Sequence, residues 1–149
     1  MKVKIKKLVE GVKIPQYSKP GDAGMDLNAT SVEIDEWGNI SYGTGLAFEI
    51  PEGYVGLLFP RSSNCKKDLV LSNSVGILDS GYRNEVFFKF KPVEFFNLEE
   101  EFEEDIRVYD VGDRIGQIVI LPYPQIEFEE VEELSETERG YGGFGSTNI

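Results

Sequence analysis

The chain has no histidine, one cysteine, one tryptophan and only three alanines (Ala23, Ala29 and Ala47) among 149 residues. Without histidine, and with Cys65 as the lone thiol, it can build no Cys/His zinc site, no Ser-His or Cys-His nucleophile pair and no intrachain disulfide framework. Catalysis would have to run on carboxylates, hydroxyls, cations or a metal held by oxygen. No stretch approaches the roughly 20 apolar residues that span a bilayer. The lysine-rich start MKVKIKKLVEGVK lacks the apolar stretch of a secretory signal, so a soluble cytoplasmic protein with no membrane role is expected. Scarce alanine beside 16 Gly, 7 Pro and 10 Phe disfavours helix bundles and favours short strands with turns.

Charge is abundant but uneven. The formal total is −12, yet residues 94–138 hold 16 of the 27 acids and only two of the 15 cations, Arg107 and Arg114. The rest of the chain, with 13 cations against 11 acids, is near neutral. A small phosphate ligand is compatible with that remainder. A long nucleic acid, which needs a broad basic face, is not. The acidic 94–138 region offers a surface for a protein partner, and its run at residues 99–105 reads as a solvated loop or a short helix.

Alternation of apolar and polar residues predicts an all-β domain. It is clear at residues 2–7, where Val3 and Ile5 share a face, at Val32 and Ile34, and from Ile40 to Tyr42. Residues 45–60 read as two strands joined at Pro51-Glu52-Gly53, and residues 115–121 as a nearly continuous buried strand. Many short strands at this spacing suggest a sandwich or barrel. The one helical turn expected follows Pro60-Arg61-Ser62-Ser63, where a serine can cap free amides. No repeat or linker divides residues 1–138. Residues 139–149 carry four glycines and form either a disordered tail or an arm able to wrap closely around a ligand with Arg139, Phe144, Ser146 and Thr147.

Three further clusters combine small residues with chemistry. They are Pro20-Gly-Asp-Ala-Gly-Met-Asp26-Leu27, Pro60-Arg61-Ser62-Ser63 and Gly112-Asp-Arg-Ile-Gly-Gln117. Each alone is weak, since a turn followed by a strand explains the first and last equally well. The most informative stretch runs from Asn73 through Asp79 and Tyr82 to Val86. Asp79 follows Ile77-Leu78 and precedes Ser80-Gly81, so it is expected at the end of a hairpin strand with Tyr82 opening the partner strand. Blandly read, this is a hairpin with a solvated carboxylate; functionally read, it is a pocket with a proton acceptor and an aromatic wall.

Taken in order, five clusters resemble the motifs of the trimeric dUTP pyrophosphatase (dUTPase) family. They match at Ala23-Gly24-Met25-Asp26-Leu27, Pro60-Arg61-Ser62, Gly76-Ile77-Leu78-Asp79 through Tyr82-Arg83, Gly112-Asp113-Arg114-Ile115 with Gln117, and Arg139-Gly140 with Gly142-Gly143-Phe144-Gly145-Ser146-Thr147. The resemblance implies a distorted jelly-roll β-barrel over residues 1–138 and a closing arm over residues 139–149. It also implies a homotrimer whose sites draw on more than one subunit. The implied activity is Mg²⁺-dependent hydrolysis of dUTP to dUMP and pyrophosphate, limiting uracil incorporation into DNA and supplying dUMP for dTMP synthesis.

By the same resemblance, Asp79 deprotonates the attacking water, and Tyr82 packs under the deoxyribose where a 2′-hydroxyl would clash. Asn73, with backbone groups near Ile77, Leu78 and Phe87, reads the uracil edge. Arg61, Ser62, Ser63 and Gln117 bind phosphate oxygens. Phe144 stacks over uracil beside Gly145, while Arg139, Ser146 and Thr147 close on the γ-phosphate. Asp26 is an outer-sphere partner for Mg²⁺ or a structural hydrogen-bonding group. Two departures from the family pattern stand out: Ser63 replaces the glycine usual after Pro-Arg-Ser, and Asn84 the glycine usual after Tyr-Arg. Asn84 is expected to take the left-handed conformation the glycine would supply. The longer, acidic segment 92–111 is expected to protrude away from the triphosphate. The alternatives are a dCTP deaminase of the same superfamily, mono- or bifunctional, and a regulatory binding protein on this fold.

Overall fold

The computed structural model describes residues 1–93 and 107–143; the acidic run 99–105 and the arm residues Phe144, Gly145, Ser146 and Thr147 lie outside them. The regular elements of the described residues are ten strands and one short 3₁₀ helix, in the expected jelly-roll arrangement of antiparallel sheets. In one two-stranded sheet β1 (Lys4–Lys7) pairs with β5 (Leu46–Glu49). A four-stranded sheet has the order β2 (Met25–Asn28), β10 (Arg114–Pro122), β6 (Tyr54–Phe59), β8 (Gly76–Leu78). The other has the order β3 (Ser31–Ile34), β4 (Ile40–Gly43), β9 (Phe87–Pro92), β7 (Leu69–Leu71). No helix among the described residues is long and apolar enough to cross a membrane.

The sheets share one core. Leu27, Leu58, Leu78, Ile115 and Ile118 from one four-stranded sheet pack with Tyr42, Phe88 and Phe90 from the other. Tyr42 and Phe90 meet edge to face at 6.0 Å, and Tyr109 closes the aromatic group at 5.7 Å from Phe90. A fully buried phenol needs a partner, and the Tyr42 hydroxyl donates to the Tyr109 carbonyl at 2.9 Å. Burial pushes the Tyr42 pKa up despite that bond.

The two strands of residues 45–60 turn at Pro51-Glu52-Gly53 as expected, with Gly53 at φ 79°, and β5 and β6 join different sheets. Three other local expectations are corrected. Strands β8 and β9 do not form a hairpin. Leu78 pairs with Gly56 and Phe87 with Gly43, so residues 79–86 cross from one sheet to the other and Tyr82 sits in that crossing, not on a strand. The helical turn exists as a 3₁₀ helix, Ser62–Lys66, but Arg61 occupies its N-cap position and no side chain caps it. Asn84 is not left-handed; among described non-glycines only Ser74 has positive φ, and Asn84 instead accepts the Glu85 amide through its side-chain oxygen at 2.8 Å.

Strand alternation also misjudged burial at one edge. Val32 and Ile34 lie in register with Tyr42 and Ile40, on the core face, yet are 48% and 78% exposed because β3 is the outermost strand.

Two aspartates make the fold sensitive to acid. Burial opposes ionisation of Asp35, but hydrogen bonds from the Asn39 side chain, Lys89 and the Asn39 and Trp37 amides outweigh it and hold the carboxyl far below its usual range. Asp68 is lowered first by the Arg107 side chain, which reaches both of its oxygens at 2.8 and 3.1 Å, and then by the Arg107 amide. A depressed folded pKa means that the unfolded chain binds protons first as pH falls. This stability is therefore fully present above the ordinary carboxylate value of about 4 and is lost as pH drops toward the folded values. Thermal unfolding between pH 7 and pH 3 should show a flat Tm down to about pH 5 and a fall below it. Asp35→Asn and Asp68→Asn together should lower Tm at pH 7 and flatten the acid slope. An unchanged slope would remove these two groups from the acid response.

Candidate active site

Strand register gathers the first, second and fourth motifs. Phe59 on β6, Gln117 on β10 and Asp26 on β2 are cross-strand partners, so the three share one row on one face of their sheet. Asp26 is the hub of this row. Its Oδ1 accepts Nε of Arg61 at 2.8 Å and its Oδ2 accepts an Nη of Arg114 at 3.1 Å. Arg61 also donates to the Ser63 hydroxyl at 3.0 Å. These two bonds use two of its five N–H groups, so others can still meet an anion. Gln117 donates to the Pro60 carbonyl at 3.2 Å, and its Oε1 lies 2.4 Å from where a Cβ on Gly24 would sit. A side chain at residue 24 would have to displace the Gln117 amide from this position. Ala23, Gly24, Asp26, Phe59 and Gln117 line a cavity of about 410 Å³, to which Gln16, Ser18 and Asp22 also contribute. Asp22 accepts the Lys19 amide at 2.8 Å, while Ser62 stands exposed at the start of the 3₁₀ helix.

The third motif builds a second cavity of about 330 Å³, lined by Asn73, Ile77, Leu78, Tyr82 and Phe87 with Leu58, Ser72 and Lys89 among its other walls. Asn73 rides on a tight turn between β7 and β8, in which Ser74 adopts φ 61° and the Val75 amide donates back to the Asn73 carbonyl at 2.6 Å. Tyr82 is held at both ends, its amide donating to the Asp79 carbonyl at 3.0 Å and its hydroxyl to the Glu85 carbonyl at 2.8 Å. Tyr82 stays 39% exposed and lines the cavity. Asp79 follows β8 directly and is exposed, and its carboxylate accepts no hydrogen bond among the described residues.

The two cavities share no lining residue. Strand β6 runs between them, Phe59 contributing to the first and Leu58 to the second. Among the described residues, the first and fourth motifs therefore line one cavity and the third motif the other, while Arg61 and Ser62 of the second line neither. Arg139 lines neither cavity; it donates to the Gly142 carbonyl at 3.0 Å. Sequence reasoning missed Arg114 as the second partner of Asp26, and Ser72 and Lys89 as cavity walls. A signal for Lys89 was available, because it lies two residues after Phe87 on an alternating strand and so shares its face. Among the described residues no group of three or more acids or thiols could hold a metal ion by itself.

A family model described as dUTPase matches residues 10–148. The chain is 43% identical over 149 residues to the deoxyuridine 5'-triphosphate nucleotidohydrolase of Nautilia profundicola, covering 99% of each. It is 41% identical to the protein of the same name from Rhodococcus erythropolis, covering 99% of this chain and 86% of that one. The structure of Staphylococcus bacteriophage 80alpha dUTPase with dUPNHPP superposes at TM-score 0.79 with 31% identity, over 99% of both chains. A mutant dUTPase of S. aureus phage phi11, whose structure details the coordination of a structural Mg(II) ion, gives TM-score 0.69 and 28% identity over 89% of this chain and 98% of that one. With the motifs in order, the fold shared from end to end and these relatives matched over nearly their whole length, the chain belongs to the dUTPase family.

Proposed function

We propose that the protein is a dUTP diphosphatase, cleaving dUTP to dUMP and pyrophosphate. The observation that carries this reading is the single cavity lined by Asn73, Ile77, Leu78, Tyr82 and Phe87, with Asp79 immediately beyond β8. The volume suits a pyrimidine nucleoside. Asn73 offers an amide to the base edge, and a mismatched base would leave buried polar groups unpaired, which is costly. Tyr82 occupies the space a 2′-hydroxyl would need. Asp79 takes a proton from water as that water attacks the α-phosphorus, and the bond to the bridging oxygen breaks to release pyrophosphate. With no histidine in the chain, a carboxylate is the base available at neutral pH.

Arg61, Ser62, Ser63 and Gln117 hold phosphate oxygens. Because Gln117 and Asp26, the partner of Arg61, line a cavity separate from the base cavity of the same chain, a complete site takes one cavity from each of two subunits. The face that carries Asp26 and Gln117 supports such an assembly. Along it Val55, Leu57, Phe59, Val119 and Leu121 are apolar and only half-buried, a surface that a homotrimer covers. Arg139 and the arm residues Phe144, Gly145, Ser146 and Thr147 close over the bound nucleotide.

Magnesium fits this chemistry as an ion carried with the triphosphate. Asp26 is one of two acids lining the phosphate-side cavity, and its oxygens, each already accepting one guanidinium N–H, would keep lone pairs for a water of the ion. When bound, the ion neutralises charge on the phosphates.

Pyrophosphate release from dUTP, dCTP, dTTP and UTP with Mg²⁺ tests the assignment. Release from dUTP alone is expected. Deamination of dCTP without turnover of dUTP would make the protein a deaminase, and silence on all four would make it a binding protein.

A further inference from the structure

We propose that Asn39 and Ser72, two residues outside the five motifs, are positioning residues that set base discrimination by fixing the turn that carries Asn73. The inference rests on the reading of the Asn73 cavity as the base site.

Asn39 lies at the end of the β3–β4 turn and is buried, 7% exposed. Its amide nitrogen donates to both oxygens of Asp35, at 3.0 and 2.9 Å, and its backbone N–H donates to Oδ1 at 2.9 Å. Lys89 donates to Oδ2 of the same carboxylate at 2.9 Å. An ionised carboxylate only accepts, so Asp35 dictates which end of the Asn39 amide faces it. The Asn39 oxygen must then point the other way, and there it accepts the Ser72 hydroxyl at 2.8 Å. Ser72 is pinned a second time through its backbone N–H, which donates to the Lys89 carbonyl at 2.9 Å.

The next residue is Asn73. Its side chain makes no hydrogen bond among the described residues, so the backbone on either side is what sets the point from which its amide reaches into the cavity. On the far side Ser74 is held at φ 61°, a conformation that restricts a non-glycine residue. On the near side the anchor is Ser72. A group that reads a base edge must be placed within about half an ångström, and its supporting contacts supply that placement. The hydrogen-bonded chain from Asp35 through the buried Asn39 to Ser72 ends at this point, with Ser72 and Lys89 themselves walls of the cavity.

Ser72→Ala removes the donor, leaves the buried Asn39 oxygen unpaired and frees one side of the turn. Measured with dUTP and dCTP, the variant should show a dUTP KM raised about tenfold, the scale of one lost hydrogen bond. Its kcat should stay within about twofold, and its preference for dUTP over dCTP should fall about tenfold. Ser72→Thr keeps the hydroxyl and should restore both. Asn39→Ala should raise KM similarly, and the double variant should be no worse than Asn39→Ala alone, because both act through one contact. A Ser72→Ala enzyme that loses thermal stability but keeps wild-type KM and discrimination would overturn the inference and make the cluster structural only. A wild-type protein silent on dUTP would instead overturn the assignment of the cavity itself, and with it this inference.

Discussion

Asp79→Asn should lower kcat for dUTP by about 10³-fold, within the range of 10²–10⁴ that a positioned general base contributes, with KM changed only a fewfold. The substitution is nearly isosteric. The Asp79 carbonyl that holds the Tyr82 amide at 3.0 Å is a backbone group and survives it. The carboxylate itself accepts no hydrogen bond among the described residues, so the fold does not depend on it. Thermal stability should therefore match wild type, and nucleotide binding by calorimetry should persist while pyrophosphate release fails. A variant keeping more than a tenth of wild-type kcat would remove Asp79 from the chemistry and leave it a solvated carboxylate beyond a strand.

Gly116→Ala should be among the most destabilising single-methyl changes in the protein. A Cβ at this position would lie 2.1 Å from Cε1 and 2.4 Å from Cζ of Phe88, far inside contact distance. Phe88 cannot simply swing away, since it is 1% exposed and lies nearly parallel to Phe90, 14° between planes and 6.4 Å between centroids. The backbone at Gly116 is equally committed. It sits beside the register shift where β10 meets β2, and Gln117, the next residue, belongs to the phosphate-side row. Overpacking of this kind costs about 1–3 kcal/mol and occasionally more, and a value near 3 kcal/mol is expected here. That corresponds to a Tm lowered by roughly 6–12 °C for a chain of this size. Adding Phe88→Leu, which shortens the group in the way, should make the double variant more stable than Gly116→Ala alone. A double variant less stable than either single change would show that Phe88 is not the obstacle.

The same strand explains how two levels of structure meet at the site. Ile115 and Ile118 are fully buried and fix β10 in the core, while Gln117 between them is turned to the opposite face, where Asp26 and Phe59 lie in register. Core packing thus aims a polar side chain at the cavity. The strand was legible in residues 115–121 as a nearly continuous apolar run, in which Gln117 is the one polar side chain. The neighbours were not, since register across strands belongs to the partners and not to the strand.

Read alone, the sequence determined the chemistry available and the class of the fold. Absent histidine and a lone cysteine confined catalysis to carboxylates, hydroxyls, cations or oxygen-held metal, and scarce alanine with many turn residues pointed to short strands. The ordered motifs pointed to the family, because each is a local run whose residue types and spacing survive in one dimension. Only the tertiary structure decided which strands share a sheet, that β8 and β9 part company after Asp79, that Val32 and Ile34 stand uncovered at an edge, and that the first and fourth motifs line one cavity and the third another. The chain of contacts from Asp35 to Ser72 was equally hidden, since its partners lie 33 and 54 residues apart. Periodicity and motif spacing report on neighbours along the chain, whereas sheet membership, edge exposure and buried hydrogen bonding depend on which distant residues compete successfully for the same space.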